Sequence, residues 1–196
     1  MRTLLIVIAL LHLAPSVQAK PWQPVNMKSQ PGAFVAGFLS GYAAHELGHI
    51  IVAESLGFDA EFDGVTVVYP EAQMTDAEHL QVASAGFQAS WLVSEGALRY
   101  RDNRAMTEFS DSYNAGLVVS HLAITAAYLT VLTHHEDGDI EGIAAATGAS
   151  NEQIAAILAI PAILDGWRLF GDDVPRWVPT LSLGSKTVGL AVAWTW

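Results

Sequence analysis

Cysteine is absent from the sequence of 196 residues. Its absence excludes disulfide scaffolds, iron–sulfur clusters, zinc sites built on thiolates, and enzymes with a cysteine nucleophile. A metal ion bound by this protein must therefore be held by histidine and carboxylate side chains.

Positive charge is also scarce, because 9 lysines and arginines face 20 aspartates and glutamates. The formal net charge of −11 would repel a phosphate backbone, so nucleic acid is excluded as a partner. Charged residues make up only 15% of the chain and hydrophobic residues 52%, against about 25% and roughly 45–50% in globular proteins. The length suits about one domain with its own core. The apolar composition favours contact with membrane lipid.

The N-terminus has the features of an export signal. Met1 and Arg2 give it a positive start, and residues 4–13 are apolar except for His12. Val17 and Ala19 are small residues at positions that a signal peptidase reads. We predict that residues 1–19 are a signal peptide and that the mature protein works at the membrane of the cell envelope. The alternative, an uncleaved anchor helix, would be short for a bilayer.

Most of the mature chain has the pattern of helices. Residues 20–31 contain three prolines and predict an extended lead-in. Residues 32–175 follow as a helical domain, with a short strand predicted at Val65–Tyr69. A capping box at Ser150 predicts the start of its last helix, which runs to Phe170. The other predicted helices cover 32–56, 80–98, 115–133 and 140–147, and the third of these is long enough to cross a bilayer core.

The C-terminal residues alternate in polarity and size. Val188, Leu190 and Val192 are separated by glycine or alanine, which is the period of two typical of a strand. We therefore predict a β-hairpin over residues 176–196. The predicted fold class is mainly α: a membrane-associated helical bundle with a small β-hairpin at its C-terminus.

The strongest motif is His45-Glu46-Leu47-Gly48-His49, inside the first apolar helix. Side chains at i and i+4 lie one above the other on a helix, so both imidazoles can reach one ion. Glu46 lies one residue round the helix, where its carboxylate can reach a water activated by zinc and remove its proton. The motif predicts a zinc hydrolase with His45 and His49 as ligands and Glu46 as the general base.

A third protein ligand is needed, and without cysteine it should be a carboxylate. The candidates in the sequence are Glu95, Glu136, Asp139 and Asp165. Glu136 and Asp139 belong to a polar corner that also suits a solvated helix end. Asp165 ends an apolar segment and precedes Gly166, where an ionisable side chain needs a specific reason.

The order of these motifs resembles the site-2 protease family of intramembrane zinc metalloproteases. His45–His49 in an apolar helix is followed, near the end of the helical domain, by Pro161 and by Leu164-Asp165-Gly166, which looks like that family's Leu-Asp-Gly motif. Between them, Ala85-Gly86-Phe87 is similar to its Ala-Gly-Pro element. The resemblance implies a membrane-associated zinc endopeptidase that cleaves protein or peptide substrates, including membrane proteins, with Asp165 as the third ligand of Zn²⁺.

Two other interpretations stay open. The segment 91–96, Trp-Leu-Val-Ser-Glu-Gly, resembles the Trp-Leu-x-Glu-Gly motif of soluble gluzincins with one residue inserted. This resemblance implies an exported soluble metallopeptidase in which Glu95 completes the zinc site. The other interpretation is a non-catalytic membrane protein that only binds a metal ion, for which Glu46 would have no use.

Overall fold

The computed structural model describes residues 21–62, 67–70, 72–136 and 138–196. The fold is mainly helical, as predicted, with seven helices and one two-stranded sheet in these residues. The helices are α1 (Asn26–Ser29), α2 (Pro31–Leu56), α3 (Asp76–Asn103), α4 (Glu108–Thr130), α5 (Asp139–Thr147), α6 (Asn151–Phe170) and α7 (Trp177–Thr195), and the strands are β1 (Glu61–Phe62) and β2 (Val67–Val68). The predicted signal peptide, residues 1–19, lies outside the described residues.

Three of the long helices begin at capping boxes that the sequence encodes. Thr75, Thr107 and Ser150 each accept the N–H of the residue three positions later, whose side chain bonds back to the cap. Each box pairs N–H groups that the start of a helix leaves without a partner. The box predicted at Ser150 is confirmed, and so is the end of that helix at Phe170.

Helix α2 packs through a stripe of small residues that also contains the two motif histidines. Its buried positions recur at every fourth residue in most of the helix: Ala33, Gly37, Gly41, His45, His49 and Ala53. A Cβ at Gly37 would collide with the carbonyl group of Tyr113 on α4. In the same way, a Cβ at Gly116 would collide with the carbonyl oxygen of Phe34. The two backbones therefore touch directly, and this packing turns the histidine face of α2 into the interior.

Helix α3 lies at the centre of the bundle, in contact with α2, α4, α5, α6 and α7. The main apolar core forms around it and includes Leu80, Phe87, Trp91, Ile140, Ile143, Ile154, Leu158 and Ala193. Burying a large apolar side chain of this kind contributes about 1.5–3 kcal/mol relative to leaving it in water. The core holds α5 against α3 and brings the start of α5 to the histidine face of α2.

The predicted C-terminal β-hairpin is wrong, because residues Trp177–Thr195 form helix α7. The alternating small residues that suggested a strand also let a helix pack closely, and Gly189 lies directly against the indole of Trp91. The buried residues follow helical spacing: Val178, Ser182, Leu183, Lys186 and Ala193. Packing against α3 and α6 therefore outweighs the period of two in the last nine residues.

The sheet of the described chain lies between α2 and α3 instead. β1 and β2 are antiparallel, with Glu61 opposite Val68 and Phe62 opposite Val67. Of the strand predicted at Val65–Tyr69, Val67 and Val68 form β2. Residues 63–66 lie outside the described residues. The lead-in, predicted to be extended, contains the short helix α1, and Pro31 begins α2, a position that proline tolerates.

Among the described helices, α6 has the length and apolar composition needed to cross a membrane. Half of its apolar window is buried inside the protein, as in the core helix of a globular domain. The segment 115–133, which the sequence favoured as a span, belongs mostly to α4 and does not meet the same measure.

Candidate metal centre

The two motif histidines meet one carboxylate in the interior. His45 Nε2 lies 3.1 Å from Asp139 Oδ2, and His49 Nε2 lies 3.3 Å from the same oxygen. The two imidazole nitrogens are 3.4 Å apart. His45, His49 and Asp139, which we call the metal centre, are the one group of potential ligands that converges in this way within the described residues.

The size of this triangle matches the coordination shell of a small ion. Ligand atoms at the zinc distance of about 2.0–2.2 Å in tetrahedral geometry are separated by roughly 3.3–3.5 Å. The observed edges of 3.1, 3.3 and 3.4 Å are close to that spacing. The three side chains can therefore hold one ion of this size with little rearrangement.

Both histidines are held so that their Nε2 atoms face inward. His49 Nδ1 donates to the Val82 carbonyl oxygen at 2.8 Å, which leaves its Nε2 free to act as a ligand in the neutral ring. His45 Nδ1 lies 3.2 Å from the Ser90 hydroxyl. Both partners lie on α3, one turn on either side of Gly86. Such contacts to the other ring nitrogen orient metal-binding imidazoles and fix their tautomer.

Gly86 leaves the space in which these nitrogens meet. A Cβ at this position would lie 2.6 Å from His45 Nε2 and would collide with His49 Nε2. A glycine on α3 therefore lets the rings approach the helix backbone and keeps open the volume beside both ligand atoms.

The charges of the metal centre are already balanced by a proton. Burial disfavours the charged ring of His49, but the Asp139 carboxylate and the Val82 carbonyl outweigh it and raise the pKa of His49 to about 9. Burial likewise disfavours the Asp139 carboxylate, but His49 and His45 hold its pKa well below the usual range. His49 and Asp139 thus form a pair that holds one proton, and a metal cation can replace that proton.

Asp139 is the first residue of α5. A carboxylate at this position is favoured by the partial positive charge of the helix N-terminus. Its backbone N–H points to the Tyr128 hydroxyl at 3.5 Å, and the Tyr128 ring packs edge to face on Phe87. Tyr128 thereby helps to hold the start of α5 in place.

Glu46 lies beside this group on α2 and is partly buried. Burial is the largest cause of the raised pKa of Tyr69, which follows β2, and Asp139 and then Glu46 add to it. Burial lowers the pKa of His49, but Asp139, the Val82 carbonyl and, to the smallest extent, Glu46 raise it. The Glu46 carboxylate is therefore within electrostatic range of the metal centre.

A cleft of about 420 Å³ opens onto the metal centre. Its walls come from β2, the first turns of α3 and the start of α5, and include Val67, Val68, Tyr69, His79, Val82, Glu136, Glu141 and Ala145. The volume lies in the range of pockets that take small ligands or a few residues of peptide.

Asp165 does not join the histidines. It is fully buried, with Lys186 Nζ 2.6 Å from Oδ2 and the Ser182 hydroxyl donating to Oδ1 at 2.6 Å. Both partners come from α7, the segment predicted as a hairpin. Because this segment is a helix, it places the positive charge of Lys186 beside Asp165. Asp139 replaces Asp165 as the carboxylate beside His45 and His49.

Glu95 also lies outside the metal centre. Arg168 donates to Glu95 Oε2 at 2.6 Å, and Lys186 lies 3.1 Å from the same oxygen. Burial would raise its pKa, but these cations and Arg99 lower the pKa of Glu95 to about 2. We call Glu95, Asp165, Arg168 and Lys186 the ion cluster.

Of the four candidate carboxylates, Glu136 is exposed at the cleft and Asp139 is the ligand candidate. The sequence did not single out Val82, Ser90 or Tyr128. Val82 acts through its carbonyl oxygen, which no side-chain pattern reveals. Ser90 could have been found from its position, since it lies four residues after the glycine that faces the histidines.

No family model, curated protein or solved structure matches the chain. The function is therefore inferred from the geometry of the site itself.

Proposed function

We propose that the protein is a zinc-dependent endopeptidase in which His45, His49 and Asp139 hold the metal ion and Glu46 is the general base. The observation that carries this proposal is the triangle of ligand atoms with edges of 3.1–3.4 Å, formed on a helix with the His-Glu-x-x-His pattern. Two imidazoles and a carboxylate suit zinc. Three protein ligands are typical of catalytic zinc sites, which keep one position open.

Each residue of the motif then has a chemical role. When bound, the zinc ion supplies Lewis-acid activation of the water and of the scissile carbonyl group. Glu46 accepts a proton from the water as the oxygen of the water bonds to the carbonyl carbon. Glu46 gives that proton to the leaving amine when the carbon–nitrogen bond breaks. Val82 and Ser90 keep both imidazoles in the orientation that a ligand needs.

The direct test is Glu46→Gln, with Glu54→Gln on the exposed side of the same helix as the matched control. The amide keeps the shape of the side chain but cannot accept the proton, so peptide cleavage should fall by about 10²–10⁴-fold. Zinc content should stay at one ion per chain in both variants. Cleavage of a peptide library at the wild-type rate by Glu46→Gln would contradict the role of Glu46.

The contacts of Glu95 oppose the gluzincin alternative, because Arg168 and Lys186 occupy its oxygens. The non-catalytic alternative makes a separate prediction. The wild-type protein and every variant at position 46 should then bind zinc and cleave no peptide. Zinc content and cleavage, measured together on the wild-type protein, distinguish it from the endopeptidase.

We also propose that α6 and α7 place the protein at a lipid bilayer of the cell envelope. Both helices, with the residue that follows α7, leave large apolar side chains exposed, including Ile157, Ile160, Ile163, Trp167, Trp177, Leu181, Val188, Val192, Trp194 and Trp196. Their inner charges Asp165, Arg168 and Lys186 are buried. Tryptophans at both ends of α7 are typical of membrane–water interfaces. The mature protein should float with phosphatidylcholine vesicles, and quantitative recovery in the lipid-free fraction would contradict this.

A further inference from the structure

Peptide hydrolysis needs a hydrogen-bond donor for the carbonyl oxygen, which becomes negative as water adds to the carbon. Apart from the ligand His49, two side chains that line the cleft can donate a hydrogen bond: Tyr69 and His79. The other lining side chains are acidic or apolar. The choice between these two donors depends on what each of them contacts.

Tyr69 follows β2 directly and is partly buried in the cleft wall. β2 is held by its pairing with β1 and by contact with α2, the helix that carries the motif. Val67, at the start of the strand, is buried and fixes its other end. The strand therefore holds Tyr69 in the wall of the cleft that His49 and Asp139 also line.

The charges around Tyr69 come from the residues of the proposed reaction. Burial and then the carboxylates of Asp139 and Glu46 raise the pKa of Tyr69 above its usual range. The phenol thus keeps its proton at neutral pH, and it lies within the field of both the third ligand and the general base. Its hydroxyl makes no hydrogen bond with another described residue, so the proton is available to a substrate.

The other ring donors near the site have different contacts. His79 lies beside Gly142 of α5, where an added Cβ would be 3.1 Å from its Nε2. The Tyr128 hydroxyl faces the N–H of Asp139, and its ring packs against Phe87 and His45. Tyr128 therefore supports the third ligand rather than the substrate.

We propose that Tyr69 is a further catalytic residue, whose hydroxyl donates a hydrogen bond to the carbonyl oxygen of the scissile peptide as that oxygen becomes an oxyanion. This inference rests on the proposed endopeptidase function. The water oxygen bonds to the carbonyl carbon, its proton passes to Glu46, and the π electrons move to the carbonyl oxygen. Tyr69 keeps its own proton throughout. When the carbon–nitrogen bond breaks, the carbonyl re-forms and the amine leaves with the proton from Glu46.

The test compares Tyr69→Phe with Tyr100→Phe, an exposed tyrosine on α3, both loaded with zinc. The ligand is a peptide phosphonate, whose tetrahedral anionic group resembles the transition state. Its affinity, measured by calorimetry, should fall by about 10²-fold in Tyr69→Phe and stay unchanged in Tyr100→Phe. For a cleaved peptide, kcat should fall by about 10²–10³-fold with little change in KM.

The two proposals fail in different ways in this experiment. Zinc affinity, measured by competition with a chelator, should be the same in Tyr69→Phe as in the wild type, which shows that the site has folded. If the phosphonate binds the wild type and Tyr69→Phe equally, Tyr69 is not the donor and the endopeptidase proposal stands. If the phosphonate does not bind the zinc-loaded wild type, the endopeptidase proposal is overturned, and the role of Tyr69 with it.

Discussion

The metal centre and the ion cluster are two buried polar groups in one helical bundle, and they differ in the source of their positive charge. In the ion cluster, the carboxylates of Glu95 and Asp165 are paired with Arg168 and Lys186 at 2.6–3.4 Å. In the metal centre, Asp139 faces two imidazoles whose nitrogens converge on one point. A buried carboxylate that is paired with lysine or arginine has a structural role. A buried carboxylate that is paired with a protonated histidine can bind a metal ion in place of that proton.

This comparison explains why the most attractive carboxylate in the sequence is not beside the histidines. Asp165 in an apolar helix does need a reason to be buried, as the sequence indicates. The reason is Lys186, which a strand at residues 176–196 would not have placed beside it. A charged residue in an apolar segment shows that a partner exists, but it does not show which partner.

The largest expected effects come from replacing each of the two aspartates by alanine and comparing the two variants. Asp165→Ala leaves Lys186 buried without one of its carboxylates, so the free energy of unfolding should fall by about 3–5 kcal/mol, while the folded protein keeps its zinc. Asp139→Ala should lower zinc affinity by more than about 100-fold, because it removes a ligand rather than a supporting group. Chemical denaturation and chelator competition measure the two effects. Loss of zinc in Asp165→Ala with retention in Asp139→Ala would reverse the comparison.

A second prediction tests the space between the imidazoles. Gly86→Ala places a methyl group 2.6 Å from His45 Nε2, so we expect zinc affinity to fall by about 10–100-fold or more, as for disturbed ligand orientation. Gly96→Ala on the same helix is the matched control, because a Cβ there meets nothing within 4 Å. That change should keep the zinc affinity and stabilise the helix by up to about 1 kcal/mol. Equal zinc affinity in the two variants would show that zinc binding does not need a glycine at position 86.

The proton of the metal centre gives a third prediction. Because the pKa of His49 is raised from 6.5 to about 9, zinc must displace a proton below pH 9. Zinc affinity should therefore rise about tenfold per pH unit between pH 7 and 9. In the metal-free protein, the stabilisation by protonated His49 is complete below pH 6.5 and is lost as the pH rises through 9. A zinc affinity independent of pH over this interval, by calorimetry, would contradict the proton exchange.

The smallest expected effect concerns the support of His45. Ser90→Ala removes the hydroxyl 3.2 Å from Nδ1, and zinc affinity should fall by about tenfold. Ser84→Ala, a buried serine bonded to the Leu80 carbonyl of its own helix, is the matched control and should leave zinc affinity unchanged. Identical affinities for both variants would show that Ser90 does not orient the ring.

The parts of the site that the sequence predicts are those fixed by local spacing. The i, i+4 pair His45 and His49 does face one point, and the capping box at Ser150 and the short helix at 140–147 form as predicted. Which carboxylate faces the two histidines depends on which helices pack together, and that depends on the whole core around α3. The C-terminal hairpin is wrong, and Asp165 contacts Lys186 and Ser182 instead of the histidines; both outcomes depend on where α7 packs.

Anomalous diffraction at the zinc edge, from crystals of the zinc-loaded mature protein, tests the central claim most directly. We predict one strong peak within bonding distance, about 2.0–2.2 Å, of His45 Nε2, His49 Nε2 and Asp139 Oδ2. The ion cluster should show no peak, because its carboxylates are already paired with Arg168 and Lys186. A peak on Asp165 or Glu95, or none near the histidines in zinc-saturated crystals, would contradict the metal centre described above.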